Sequence, residues 1–422
     1  MTVAVHLNRR ELLSLPGDNS RDAVLVGLIS IFLFLFINPF LALFLLALIT
    51  MLHRIPTLAF IVPASIAFAV FFYSREFGIE WYPGGNTDDI PQYISMYRTN
   101  EGISFFELME RFFYVPPGNE PLWNLMWWSL LNGLNATDNT FVFLHYLVNF
   151  LVLFLALRTL SGRYFVPFSL VYFFLIPISV DGLSHIFRQE LASFIFLAGV
   201  GLYLVAGRRV GKLLIYLSPL FHLASLFFVA SFFLFESLRK RRLFENRIKI
   251  SILLIFLLLI FPILLSIFVT ILDSLGVYNI MGYFEGRDID QARVYLLLGA
   301  YGITQLAAFF LLRNDDLNHL FLIMCIAVFS VILALPAANG IYDRLLMTTL
   351  PLLSLYLFRC LLENFHVSWR IPAITFIFLV GLIRLYAPTA DGYGPGSYLA
   401  FGNAFDPSMG LLKMLFVLYT NA

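Results

Sequence analysis

His185-Ile186-Phe187-Arg188-Gln189-Glu190 opens the stretch that decides the fold. An apolar run follows it, then the basic knot Arg208, Arg209 and Lys212. A second apolar run is interrupted at Pro219-Leu220-Phe221-His222 and closed by Arg239-Lys240-Arg241-Arg242. Lys and Arg gather in the cytoplasmic loops of membrane proteins, so both basic knots belong on one side of a bilayer. A single crossing between them would separate them. The roughly 26 residues from Lys212 to Arg239 would reach about 39 Å as one helix, against a hydrocarbon core of about 30 Å, and about 18 Å each as two passes. The pattern predicts a hairpin of two short helices over 212–237, turning at Pro219 to His222. Backbone broken at membrane depth is tolerated only where protein buries it or where it lines a wet cavity. His222 then sits in an outer-face cavity, with Arg188 facing it from the end of the preceding helix.

Working outward, the composition agrees. Of the 422 residues 60% are hydrophobic and 13% charged, which excludes a soluble domain and predicts an all-α polytopic membrane protein. A net charge of +1 gives no field that would draw in nucleic acid. Cys325 and Cys360 lie in apolar runs without neighbouring ligands and read as inert buried thiols. The N-terminal stretch with Arg9, Arg10 and Asp18 lacks the pattern of a short cleavable signal. Phosphate-cradling glycine loops, zinc-binding His-Glu-x-x-His and Gly-x-Ser-x-Gly elbows are missing, so neither a metal nor another cofactor is expected.

One integral domain, 1–422, is expected, with about 10–12 transmembrane helices, some short, broken or re-entrant. Residues 22–52 form one kinked span or a hairpin broken at Asn38-Pro39, because basic residues flank both ends. Further spans are expected at 56–73, 139–157, 164–180, 186–206, 250–272, 293–312, 319–336, 342–359 and 371–386. Alternation of the basic loops assigns the opposite, outer face to the polar segments 74–135, 273–292 and 387–408. Within the first, Pro121–Leu134 is too short to cross and rich in Trp, which suits an interfacial helix.

The outer face gathers the groups that carry chemistry. Arg188 and Arg344 begin helices there, and the loop before the 293–312 span adds Arg287 and Arg293. Each arginine alone either snorkels to headgroups or, in a cluster, grips a phosphate or pyrophosphate in bidentate fashion. His222 is either a satisfied structural histidine or a base suited to take a proton from a sugar hydroxyl; His185, three residues before Arg188, is a weaker candidate. Asp88 and Asp89 with Tyr93 and Tyr97 fall on one side of a short helix, as a cap with interfacial tyrosines or as a carboxylate beside sugar-stacking rings. Glu120 directly precedes the Trp-rich helix, as a dipole-complementing acid or a substrate ligand.

In this order, Tyr82-Pro83-Gly84-Gly85 leading to Asp88-Asp89 and Tyr93/Tyr97, Glu120-Pro121-Leu122-Trp123, Phe187-Arg188-Gln189 and Phe221-His222-Leu223-Ala224-Ser225 resemble EpsG-type, Wzy-like polysaccharide polymerases of bacteria. The resemblance covers about residues 55–240, and the C-terminal half follows mainly in hydropathy and in Arg344. The chain departs from the family pattern in its doubled Asp and in a four-residue step to the first Tyr, which leaves Asp88 and Asp89 both open as the counterpart.

The resemblance implies a GT-C-related membrane glycosyltransferase in the bacterial inner membrane, its active site facing the periplasm. It would join oligosaccharide repeat units carried on undecaprenyl pyrophosphate, in O-antigen or exopolysaccharide synthesis, with a chain-length regulator and a flippase of the same pathway as partners. On that scheme Arg188 and Arg344 neutralise the leaving pyrophosphate, with Arg287 or Arg293 in reserve. His222 is the general base, with Asp88 or Asp89 its rival, and Glu120, Gln189, Tyr93 and Tyr97 hold the glycan. Two other readings remain: an O-antigen ligase or another GT-C enzyme with a polyprenyl-linked donor, and a flippase or transporter. Transport should string polar groups across the whole bilayer, whereas here they collect at one face.

Overall fold

The computed structural model describes residues 20–53, 55–73, 89–114, 120–175, 187–222, 224–241, 316–334, 367–386 and 410–415, with scattered positions between 256 and 299 and between 345 and 359. Every regular element among the described residues is helical. The chain divides into two compact units, one formed by residues 1–222 with 357–422, the other by 223–356.

In the first unit the apolar stretch 22–52 is two helices, α1 (Ser20–Phe36) and α2 (Pro39–Leu52). The break has a local cause. The Asn38 side chain accepts a hydrogen bond from the Phe40 amide at 3.0 Å, and Pro39 occupies the first helical position, where its missing N–H costs nothing. Helix α3 (Thr57–Tyr73) follows, with α4 (Asp89–Arg98), α5 (Phe105–Tyr114) and α6 (Pro121–Leu134) beyond it. The expected Trp-rich helix is thus present with the expected bounds. Helix α7 (Asp138–Ser161) starts where Thr137 accepts from the Thr140 amide at 3.3 Å, and ends at Gly162, whose φ of 60° favours glycine. After α8 (Phe165–Leu175) come α9 (Phe187–Val200), which runs on into a π-helical turn at Gly201–Val205, and α10 (Val210–Leu217). A 3-10 turn at Ser218–Leu220 then ends in a bend at Phe221 and His222, the predicted interruption.

Phenylalanine builds the core of this unit. Phe68 of α3 lies flat on Phe173 of α8 at 5.1 Å and meets Phe150 of α7 at 5.5 Å and Phe40 of α2 at 5.2 Å. Phe60 stands edge-on to Phe154 at 5.4 Å and to Phe165 at 5.1 Å. Lipid tails are as apolar as these side chains, so fit between rings, not escape from water, holds such helices together. Each well-oriented ring pair adds about 0.5–1.5 kcal/mol. Helices α9 and α10 approach through Gly199 and Gly211, where a Cβ on either would collide with the other's backbone. Helix α13 (Val367–Tyr386) closes the unit against α2 and α8, with Phe378 stacked on Phe44 at 4.1 Å.

The second unit pairs α11 (Ser225–Lys240) with α12 (Asp316–Ala334). Arg239 bridges to Asp316 at 2.9 Å and to Glu236 at 3.3 Å, and Cys325 is buried, as expected of an inert thiol.

Among the described residues two helices are long and apolar enough to cross a membrane, Asp138–Ser161 and Arg188–Val205, and several shorter apolar helices accompany them. Their outward faces are greasy: Leu28 and Phe32 of α1, Phe233 of α11 and Phe376 and Ile383 of α13 are each more than half exposed. So much exposed apolar surface suits lipid, not water. The spans expected over 250–272, 293–312 and 342–359, and the polar segments 273–292 and 387–408, lie largely or wholly outside the described residues.

Candidate active site

Helix α6 begins at the site. Glu120 is its N-cap residue, where an acid usually accepts from the first-turn amides, yet its side chain makes no capping hydrogen bond. The carboxylate turns instead to Arg188, 68 residues further along the chain, whose Nη1 donates to Glu120 Oε2 at 2.7 Å. Glu120 is buried and the Arg188 side chain is only 20% exposed. A cation in the first turn of a helix opposes the helix dipole. Two carboxylates offset that here: Glu120 from α6, and Glu190 in the first turn of α9 itself.

Two further groups complete the cluster. The ring of Tyr93, on α4, lies beneath the guanidinium with its centroid 5.2 Å from Arg188 Cζ, a cation–π contact. His222, in the bend after the 3-10 turn, brings its Nε2 to 3.7 Å from Glu120 Oε1, outside hydrogen-bond range but close enough for charge to be felt. The backbone N–H of His222 donates to the Ser218 carbonyl at 3.3 Å, which fixes the bend.

The elements around this cluster are pinned by one local cap and by polar contacts between helices and turns. Ser104 and Glu107 form a reciprocal capping box at the start of α5, with the Ser104 amide donating to Glu107 Oε2 at 2.6 Å and the Glu107 amide to Ser104 Oγ at 3.2 Å. Arg98, ending α4, binds Asp138, opening α7, at 2.7 Å, so each charge suits its helix end. At the far end of α6 the Trp128 indole N–H donates to the Ile103 carbonyl at 2.9 Å, and the Asn132 side chain accepts from Gly102 at 2.9 Å and donates to Asn100 at 3.0 Å.

Sequence reasoning passed over His145. It sits in the middle of α7, fully buried, stacked on Trp127 at 4.3 Å and against Trp123 at 4.5 Å, both from α6. Trp123 in turn meets Tyr93 at 6.0 Å. An ionisable residue inside an apolar span was the available signal.

Arg188, Glu120, His222 and Tyr93 are therefore brought together, from four elements. Gln189, the next residue of α9, is buried. Asp89 and Tyr97 lie on α4, as the short-helix expectation requires, though only their backbone is described. Asp88, His185, Arg287, Arg293 and Arg344 lie outside the described residues. Among the described residues no group of His, Cys, Asp and Glu is arranged to hold a metal. The cluster offers a guanidinium for an anion and an imidazole poised beside a carboxylate.

No curated protein and no solved structure matches the chain. Residues 64–392, well over half of the chain and spanning the whole cluster, match the EpsG family. The chain belongs to the EpsG family, and with that membership go a membrane location and a polysaccharide-polymerase-like, glycosyltransferase-type function.

Proposed function

We propose that this protein is a Wzy-type polymerase. In this reading it is a polytopic, GT-C-like protein of the bacterial inner membrane that joins undecaprenyl-pyrophosphate-linked oligosaccharide repeats at the periplasmic face. The observation that carries the reading is the cluster itself: a mostly buried arginine, a buried carboxylate and a histidine at a helix break, all within the stretch that matches the family.

The hydroxyl at the non-reducing end of one lipid-linked repeat attacks the anomeric carbon of the growing chain, and undecaprenyl pyrophosphate leaves. Pyrophosphate is a good leaving group, so the protein's main tasks are to hold it, neutralise it and take one proton. Arg188 supplies the planar donor fork that fits phosphate oxygens, joined by Arg344 and, in reserve, Arg287 or Arg293. His222 takes the proton of the attacking hydroxyl, with Asp88 or Asp89 the alternative base. Tyr93, Tyr97 and Gln189 contribute to holding the glycan. A chain-length regulator and the flippase of the same pathway are the expected protein partners.

The test is the glycan profile of cells carrying Arg188→Ala beside wild type and a null. A normally inserted variant whose polymer ladder collapses to single repeat units supports the reading. An unchanged ladder removes Arg188 from the mechanism, and failure of repeat units to reach the outer face would point to an earlier step.

A further inference from the structure

His145 is an ionisable side chain in the middle of an apolar span, a placement that is costly and points to a function. It is fully buried, and the reaction scheme above gives it no task. Its ring lies 4.3 Å from that of Trp127, with the planes 20° apart, and 4.5 Å from that of Trp123. The two indoles stand one turn apart on the same face of α6, with their own centroids 5.4 Å apart. A flat ring lodged beside two such indoles works as a knob in a notch. Helix α6 cannot slide along α7 without spoiling one stack or the other.

We propose that His145 is a positioning residue: by holding α6 in register along α7 it sets Glu120 and Tyr93 against Arg188, and so aims the guanidinium at the donor's pyrophosphate. The inference rests on the pyrophosphate reading of Arg188 given above.

Helix α7 is the common reference for all of these groups. Arg188 is carried by α9, which packs along α7, while α4, which carries Tyr93, packs on both α6 and α7. Glu120 precedes Trp123 by a single turn of α6, and Tyr93 meets that same indole at 6.0 Å. Ring contacts therefore run in series from His145 through Trp123 to Tyr93, and on to Arg188, whose Cζ is 5.2 Å from the tyrosine centroid. The polar contacts that pin α6 through Trp128 and Asn132 lie towards its far end. The indoles against His145 lie in its first two turns, next to Glu120. Phe141, one turn before His145 on α7, adds an edge-on contact to Trp127 at 4.7 Å.

The tolerance is narrow. The bond from Arg188 to Glu120 is 2.7 Å long, and a slip of α6 by about 1 Å takes it out of hydrogen-bond range. A guanidinium held by a carboxylate at one edge and by a ring on one face points the rest of its fork in a fixed direction, so less rotamer freedom is lost when an anion binds. Misplacement by about 1 Å at a reacting centre costs roughly a hundredfold in rate.

Titration calorimetry of inorganic pyrophosphate on the purified full-length protein in lipid nanodiscs, read beside polymerising activity, tests this. His145→Leu keeps an apolar side chain of similar bulk and removes the flat face. Well below its unfolding midpoint it is expected to bind pyrophosphate roughly tenfold more weakly and to polymerise roughly a hundredfold more slowly. His145→Phe restores the flat face, and both quantities are expected to return to within about threefold of wild type. A residue that only fills space would lower the midpoint and leave the pyrophosphate affinity of the folded protein unchanged. If Arg188→Gln binds pyrophosphate as the wild type does, the pyrophosphate reading of Arg188 fails and the positioning role falls with it. If Arg188→Gln loses binding but His145→Leu keeps wild-type affinity, the positioning role alone is overturned. Equal losses in His145→Leu and His145→Phe overturn it as well, because the flat face is then not what matters. Should His145→Leu fail to fold, Trp123→Leu breaks the same series one ring further along, and wild-type pyrophosphate affinity in that variant is fatal to the proposal.

Discussion

Arg188 differs from an ordinary interfacial arginine in that a buried carboxylate holds one side of its fork and a tyrosine ring lies beneath it. Charge alone should not replace it. Arg188→Lys keeps the charge but loses the planar fork, and long polymer is expected to fall by roughly tenfold or more, read from the glycan ladder at equal protein level. Arg188→Ala leaves Glu120 buried without its partner, a change that costs about 3–5 kcal/mol for a buried pair, so its unfolding midpoint in detergent should drop clearly. His222→Gln should behave differently, abolishing polymer while pyrophosphate binding, measured by calorimetry, stays near wild type. Arg188 and His222 could be picked out from the sequence because each is a polar group at the end or at a break of an apolar run. Glu120 could be singled out as well, but not as their shared neighbour, because it lies 68 residues from Arg188 and only the packing of α6 against the 3-10 turn, with its N-cap residue reaching Arg188, brings the three together. His145 carried a signal, an ionisable group inside an apolar run, but nothing in that run marks which residue meets two indoles.

Helix breaks were more legible than helix contacts. The interruptions at Asn38-Pro39 and at Pro219 to His222 were readable because proline and a capping side chain act locally. The π-helical turn at Gly201–Val205 and the glycine crossing of α9 with α10 depend on neighbours brought in by the fold, and no local signal announces them. Two substitutions test these elements by thermal unfolding in detergent. Asn38→Ala removes the cap of α2 and should cost about 1 kcal/mol. Gly211→Ala drives a methyl group into the backbone of α9 and should cost about 1–3 kcal/mol; because α10 leads into the bend that carries His222, activity should fall along with the midpoint.

At the scale of the whole chain, the helical class and the greasy exterior were both written in the composition, whereas the division into two units was not, because it depends on long-range packing. The mechanism calls on arginine, histidine and carboxylate, so polymerising activity of the purified protein should survive incubation with EDTA followed by its removal. Loss of activity that added magnesium or manganese restores would overturn the scheme.

The pairing of Glu120 with Arg188 also sets an order of events while the protein is being made. A ribosome delivers Glu120 well before Arg188, 68 residues later. Until then, burying the carboxylate would leave a lone charge in an apolar setting, so the segment that carries it has to wait. A nascent chain released before Arg188 should keep the Glu120 segment open to protease, and one that extends past the end of α10 should protect it. The buried ion pair then acts as an assembly checkpoint, closing only on a chain whose later helices have arrived.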